Sequence, residues 1–91
     1  KIKNMFDILD YNFGVVEYNT THCVSITYLG VNNLTTGNFN TPCGCTSRNY
    51  DPATKKLLVC LTMNASPIKE ANVICNIPEG QVIIKLTGTI K

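Results

Sequence analysis

Apolar and polar residues alternate along much of this chain with a period of two, and not with the 3.6-residue period of a helix. In residues 21–28, Val24, Ile26 and Tyr28 share one face and residues with hydroxyl groups lie between them. Successive side chains of a strand point to opposite sides of a sheet. The pattern therefore predicts a half-buried strand here.

The clearest alternation covers residues 81–90. Lys85, Thr87 and Thr89 fall on the face predicted to meet solvent. The inward face is predicted to carry Val82, Ile84, Leu86, Gly88 and Ile90. This segment is expected to be a long strand with one side on the core.

Residues 56–63 differ because both of their faces are apolar. Leu57, Val59, Leu61 and Met63 share one side, and Leu58 and Cys60 occupy the other. A strand with two apolar faces is central in its sheet or covered by another layer.

Further strands are expected at 5–9, 14–17, 34–39 and 71–77, which gives about seven. Turn-forming residues separate them. These are Tyr11 with Asn12, Asn19 with Thr20, Asn32 with Asn33, Thr36 to Asn38, Asp51 with Pro52, Ser66 with Pro67, and Pro78 to Gly80. Short strands spaced in this way predict an all-β sandwich or small barrel, formed by residues 1–91 as a single domain.

The hydrophobic core is predicted from the inward positions of these strands. Truncating one of its larger side chains to Ala is expected to cost roughly 2 to 5 kcal/mol. The expected core residues are Phe13, Val24, Ile26, Tyr28, Leu34, Val59, Leu61, Val73, Cys75, Val82, Ile84 and Leu86.

Composition narrows the functional classes. The charged fraction is 15%, the net charge is +2, and the lysines are scattered, which does not favour binding to nucleic acid. The longest apolar run has five residues, 57–61, far below the roughly 20 that a membrane-spanning helix needs, so no membrane insertion is expected. No glycine-rich phosphate loop is present, and we expect no cofactor and no small-molecule substrate.

The five cysteines allow two interpretations. A short secreted chain with several cysteines is often held by disulfides, but an odd number leaves one thiol unpaired. We favour reduced, buried thiols that act as small apolar side chains, because Cys is among the most often buried residue types. Disulfide cross-links are the alternative.

One local motif is a candidate for chemical activity, the segment Cys43-Gly44-Cys45. Two thiolates can bind zinc, and an activated thiol can act in redox chemistry. A structural zinc site needs four ligands, however, and there is no second cysteine pair, while the single histidine, His22, lies on another strand. We therefore favour a structural motif in which Gly44 allows a tight bend between two inward-pointing cysteines.

Catalytic residues are not expected. Cys23 and His22 are adjacent on a strand and should point to opposite faces, so His22 is predicted to be an exposed residue and not the base of a Cys–His pair. The carboxylates are too dispersed to predict an acid–base pair. Asn19, Asn33 and Asn64 begin glycosylation sequons, which we attribute to chance in a chain with eleven Asn and eleven Thr.

Three motifs in order carry a resemblance to a known family. These are Phe13-Gly14, then Cys43-Gly44-Cys45-Thr46, then the closing segment 84–90. Together they resemble a bacterial immunoglobulin-like family of unknown function, related to the ASH, MSP and HYDIN type domains. The resemblance covers roughly residues 6–90, departs from the family in the loop 29–33 and in 64–79, and implies an immunoglobulin-like β-sandwich without implying an activity.

A lone sandwich without catalytic groups is expected to present a surface to other proteins. The leading hypothesis is a non-enzymatic structural or binding module, an accessory protein that decorates a tailed-phage capsid, is assembled in the bacterial cytoplasm and has capsid or other virion proteins as partners. The alternative is an exported bacterial domain of the periplasm or cell surface that mediates protein–protein interaction. The sequence does not locate the binding surface.

Overall fold

The computed structural model describes residues 5–64 and 67–91 and is all-β. Within these residues the one helical element is a single turn of 3-10 helix at Thr36–Asn38. The seven strands are β1 Asp10–Val16, β2 Thr21–Thr27, β3 Phe39–Asn40, β4 Thr46–Asp51, β5 Lys56–Thr62, β6 Ile68–Ile77 and β7 Gly80–Ile90.

The strands form two sheets, one of four strands in the order β1-β7-β6-β3 and one of three in the order β2-β5-β4. β1 runs parallel to β7, and the other neighbouring strands are antiparallel. In immunoglobulin-like sandwiches the second, fourth and fifth strands share one sheet and the third, sixth and seventh share the other. The predicted immunoglobulin-like β-sandwich of about seven strands is confirmed.

The core lies between the sheets and matches the predicted positions closely. All the expected core residues are buried except Phe13, Val24 and Val82, which are partly buried and pack against it. β5 is the central strand of its sheet, as its two apolar faces predicted. Its second face is not covered, since Leu58 remains 46% exposed.

Aromatic side chains that the alternation did not identify complete the core near one end. Phe6 contacts Tyr28 and Phe39 with ring centroids 5.5 and 6.1 Å apart, and Phe39 lies 5.2 Å from Tyr50. Offset or tilted ring pairs at such distances stabilise a core beyond the area they bury. Phe6 thereby fastens the segment before β1 to both sheets.

The first strand differs from the strands predicted at 5–9 and 14–17. Residues 5–9 form only an isolated bridge, Phe6 with Tyr28, and β1 runs through Tyr11 and Asn12, where a turn was expected. The side-chain oxygen of Asn12 accepts a hydrogen bond from the backbone N–H of Gly14 at 2.8 Å, and Gly14 has a φ of +83°. The turn-forming residues therefore make a bulge within the strand, where the register with β7 shifts.

Two other expectations were wrong in the middle of the chain. The strand expected at 34–39 is the 3-10 turn followed by the two residues of β3. β4 was missed, because only Thr46 and Tyr50 in its six residues are buried and the others are polar and exposed. A strand at the edge of a sheet needs few apolar side chains, so alternation is a weak signal there.

Strand directions define two ends of the sandwich. The loop end carries the connections β2–β3, β4–β5 and β6–β7. In the last of these, Pro78 and Glu79 form a two-residue turn within the turn predicted at Pro78 to Gly80. The turn end carries the connections β1–β2, β3–β4 and β5–β6. Turns predicted at Asn19 and at Asp51 are confirmed, one at each end, and part of the turn expected at Ser66 lies outside the described residues. In the described part of the chain no helix is long and apolar enough to cross a membrane.

Candidate functional site

The Cys43-Gly44-Cys45 segment lies at the turn end, where the chain crosses from β3 in one sheet to β4 in the other. The N–H of Thr46 donates to the carbonyl of Cys43 at 3.1 Å, which closes a four-residue turn. The carbonyl of Cys45 accepts from the N–H of Thr62 at 2.8 Å and ties the turn to β5. Cys43 and Cys45 form a disulfide within this turn.

The preferred interpretation of the cysteines as free, buried thiols is wrong for four of the five, because Cys43 pairs with Cys45 and Cys23 pairs with Cys60. Cys75 alone fits it: the residue is fully buried on β6, and burial raises the pKa of its thiol to about 12. The Cys75 thiol is therefore inert in the folded protein.

The Cys23–Cys60 disulfide joins two residues that lie directly opposite each other on β2 and β5. Their Cα atoms are 4.0 Å apart. Both residues are on the outer face of the three-stranded sheet, because the inward positions of the same strands carry Ile26, Val59 and Leu61. The bond lies near the turn end, two residues from the start of the β2–β5 pairing at Thr21 and Thr62.

The two cysteines of the turn differ in environment. Cys45 is 8% exposed, whereas Cys43 is only partly buried. Gly44 is exposed and lacks a positive φ, and a Cβ added there would meet nothing within 4 Å among the described residues. The turn therefore does not require glycine for steric reasons at Gly44. Both cysteines were predicted to point inward. In the structure Cys45 does so, whereas solvent can reach Cys43.

Two donors point at the sulfur of Cys43. The N–H of Cys45 lies 3.2 Å from this sulfur, and the Nζ of Lys69 lies 3.8 Å from it. Lys69 is partly buried and occupies an inward position of β6, two residues before the buried Ala71. The register of β6, in the four-stranded sheet, thus directs the Lys69 ammonium group at the Cys43–Cys45 turn. Thr46 hydroxyl lies 3.5 Å from the sulfur of Cys45.

His22 is partly buried, not exposed as expected. Its Nε2 lies 2.9 Å from the hydroxyl of Thr20, and its ring centroid is 6.1 Å from that of Phe13. It occupies an inward position of β2, whereas the Cys23 sulfur is on the opposite face, as predicted. Within residues 5–64 and 67–91, no three His, Cys, Asp or Glu side chains converge to hold a metal ion.

A hydrogen-bonded cluster fixes the loop end. The hydroxyl of Tyr28 donates to the carboxylate of Glu79, with distances of 2.7 and 2.9 Å to its two oxygens, and Asn32 Nδ2 donates to the same carboxylate at 2.9 Å. The hydrogen bond from Tyr28 lowers the pKa of Glu79 below its ordinary 4.5. Burial, followed by the bond to Glu79, raises the pKa of Tyr28.

Gly30 and Lys55 complete the cluster. A Cβ at Gly30 would overlap the hydroxyl of Tyr28 and would lie 2.7 Å from a Glu79 oxygen, so only glycine fits without movement. The Nζ of Lys55 donates to the carbonyl of Gly30 at 2.6 Å, and the backbone N–H of Tyr28 donates to the carbonyl of Lys55 at 2.9 Å. The start of the β2–β3 connection is thus hydrogen-bonded to the β4–β5 connection through Lys55 and to the β6–β7 connection through Glu79.

Apolar side chains project from this fastened segment. Val31 is 89% exposed and Leu29 is 52% exposed, and each lies between residues whose side chains or backbone atoms belong to the cluster. In the sequence, the signal for this site is the pair of apolar residues, Leu29 and Val31, within a turn-rich segment. Glu79, whose carboxylate holds the segment, is distant in sequence. We call Leu29 and Val31 the apolar pair.

Comparison with known proteins identifies no relatives: no family model matches the chain, and neither a curated protein nor a solved structure resembles it significantly. The resemblance to the bacterial immunoglobulin-like family remains a prediction based on the three motifs.

Proposed function

We propose that this chain is a protein-binding module that works in an oxidising compartment and contacts its partner through the loop end. The observation that carries the proposal is the 89% exposure of Val31 on a segment whose neighbouring residues are hydrogen-bonded in place. Exposed apolar side chains that gather on an ordered loop mark interaction surfaces more often than scattered ones do.

Order in the loop supports binding because it lowers the entropic cost of association. Fixing a flexible loop on binding costs free energy that is subtracted from the affinity. Here the Asn32 amide and the Gly30 carbonyl are already bonded to Glu79 and Lys55. The apolar pair is therefore held in one arrangement before a partner arrives.

Two disulfides support the choice of compartment. Disulfides persist in secreted, periplasmic and surface-exposed proteins and are rare in a reducing cytoplasm. This favours the exported bacterial surface or periplasmic domain over a virion protein assembled in the cytoplasm. Decoration of a tailed-phage capsid stays a prediction from the sequence, and no contact in the structure favours it.

The binding proposal is tested by capture of partners on the immobilised chain from surface, periplasmic and virion fractions of its source. We expect Leu29→Ser with Val31→Ser to lose the captured protein, because the contact area becomes polar. Val15→Ser is the matched control, since Val15 is 66% exposed but lies at the turn end. Retention by the double variant, or equal loss by the control, would contradict the proposed surface.

The compartment is tested separately by alkylating the native protein without prior reduction. We expect no alkylation of the folded chain and one alkylated thiol, Cys75, after denaturation. Five alkylated cysteines would instead favour the cytoplasmic assembly of a virion protein.

A further inference from the structure

We propose that the Cys43–Cys45 disulfide is a thiol–disulfide exchange site that oxidises a dithiol of another protein, with Cys43 as the sulfur that the partner attacks. This activity goes beyond binding and uses the opposite end of the sandwich from the apolar pair. It rests on the arrangement of Cys43, Cys45 and Lys69 around one turn.

Accessibility decides which sulfur is attacked. Cys43 is partly buried and Cys45 is 8% exposed, so an incoming thiolate reaches Cys43 first. Attack there leaves Cys45 as the departing thiolate, with the hydroxyl of Thr46 at 3.5 Å. Exchange rates depend on access and on the sulfur that is attacked.

Charge favours the same sulfur. The Nζ of Lys69 and the N–H of Cys45 both point at Cys43, at 3.8 and 3.2 Å. The Lys69 ammonium attracts an approaching thiolate to Cys43, and both donors stabilise the Cys43 thiolate that is expelled when the partner's own disulfide closes. Among the described residues no carboxylate lies within ion-pair distance of Lys69, so its charge is not neutralised.

The reaction balances over two exchange steps. A partner thiolate attacks the Cys43 sulfur, the Cys43–Cys45 bond breaks, and Cys45 leaves as a thiolate that takes a proton from solvent. The second partner thiolate then attacks the partner sulfur of this mixed disulfide and expels Cys43 as a thiolate, which also takes a proton from solvent. The partner dithiol loses two electrons and two protons, and the Cys43–Cys45 pair gains both.

The second disulfide provides an internal comparison. In the described part of the chain, no hydrogen-bond donor contacts either sulfur of Cys23–Cys60. These cysteines are also held opposite each other by the pairing of β2 with β5, which favours re-closure after reduction. Cys23 is itself exposed, so access does not separate the two disulfides. Because neither of its sulfurs has such a donor and its strands hold the cysteines together, Cys23–Cys60 is expected to exchange more slowly.

The experiment uses the oxidised full chain and a reduced peptide with two cysteines as the dithiol probe. Samples are quenched with an alkylating reagent, and the modified cysteines are identified by peptide mass mapping. We expect Cys43 and Cys45 to be reduced at least about tenfold faster than Cys23 and Cys60. Equal rates for the two disulfides would overturn the proposal.

The role of Lys69 is tested by Lys69→Met, with Lys69→Arg as the variant that keeps the charge. We expect the rate at Cys43 to fall about three- to tenfold in Lys69→Met and to stay near wild type in Lys69→Arg. Circular dichroism establishes that each variant is folded. An unchanged rate in a folded Lys69→Met variant would count against the site.

Trapping identifies the attacked sulfur and does not depend on Lys69. Cys45→Ser leaves Cys43 unpaired, and oxidised glutathione should form a stable mixed disulfide there. The matched variant Cys43→Ser leaves the buried Cys45, which should react at least about tenfold more slowly. Equal trapping by the two variants would assign the attack to neither sulfur and overturn the mechanism.

Discussion

The two ends of this sandwich are held together by different chemistry. Both disulfides are near the turn end, at Cys43–Cys45 and Cys23–Cys60, whereas the loop end is ordered by hydrogen bonds around Glu79 and by aromatic packing of Phe6 on Tyr28. Covalent bonds respond to the redox state and the carboxylate cluster responds to pH. Each end can therefore be loosened without directly breaking the contacts of the other.

The largest expected effect is the loss of the long-range disulfide. Cys23→Ser with Cys60→Ser should lower the free energy of unfolding by about 4 kcal/mol, because the unfolded chain gains the freedom of a closed loop of nearly forty residues. Urea unfolding without reductant measures the change.

Cys43→Ser with Cys45→Ser is the matched comparison at the same end. It opens a loop of only three residues and should cost roughly 1.5 kcal/mol. Equal costs for the two double variants would show that loop length does not set the contribution of these disulfides.

A glycine at each end gives the next contrast. Gly30→Ala should lower the free energy of unfolding by about 2 kcal/mol, because its Cβ overlaps the Tyr28 hydroxyl and displaces the Glu79 carboxylate. Gly44→Ala should change it by less than about 0.5 kcal/mol, since its Cβ meets nothing. A pair of thermal or urea unfolding curves tests both, and a larger loss at Gly44 would reverse the comparison.

Acid should loosen the loop end selectively. The pKa of Glu79 is lowered in the folded state, so its contribution to stability is present above the ordinary value of 4.5 and is lost as the pH falls through the lowered pKa. Glu79→Gln should therefore be less stable than wild type at pH 7, and this difference should shrink below pH 4.5. Urea midpoints across this range measure it, and a difference independent of pH would contradict the role of the charge.

The smallest effect on stability is expected at the apolar pair. Val31→Ser should change the free energy of unfolding by less than about 0.5 kcal/mol, because Val31 is 89% exposed. The same urea curves report it. A larger loss would mean that Val31 stabilises the loop itself and is not simply presented to a partner.

How much of the fold the sequence predicts depends on how regular the burial of each strand is. β7 and β5 alternate strictly, and their bounds were predicted to within one residue. β4 was not found, and the strand expected at 34–39 overlaps β3 only at Phe39, because an edge strand with mostly polar side chains and a strand of two residues leave little periodic signal. In β1, Tyr11 with Asn12 signals a turn, and only pairing with β7 makes this segment a bulge within a strand.

The candidate sites depend on register, which alternation does not give. Cys23 and Cys60 can be seen to face away from the core, but their pairing follows from β2 lying beside β5 in one particular alignment. Lys69 reads as one more scattered lysine until β6 places it 3.8 Å from Cys43. Tyr28 and Glu79 are 51 residues apart, and no local pattern links them.

The parallel pairing of β1 with β7 also decides how the domain bears mechanical load. Tension applied through Asp10 and Lys91 pulls these two neighbours in opposite directions along their length, so the hydrogen bonds between them are sheared together and not opened one at a time. Once β1 separates from β7, the Cys23–Cys60 disulfide still transmits the force directly between its two cysteines, so the chain from Cys23 to Cys60 is not stretched. At about 3.4 Å per residue, roughly 120 Å of chain stays out of reach of the pulling force until a thiol cuts the bond.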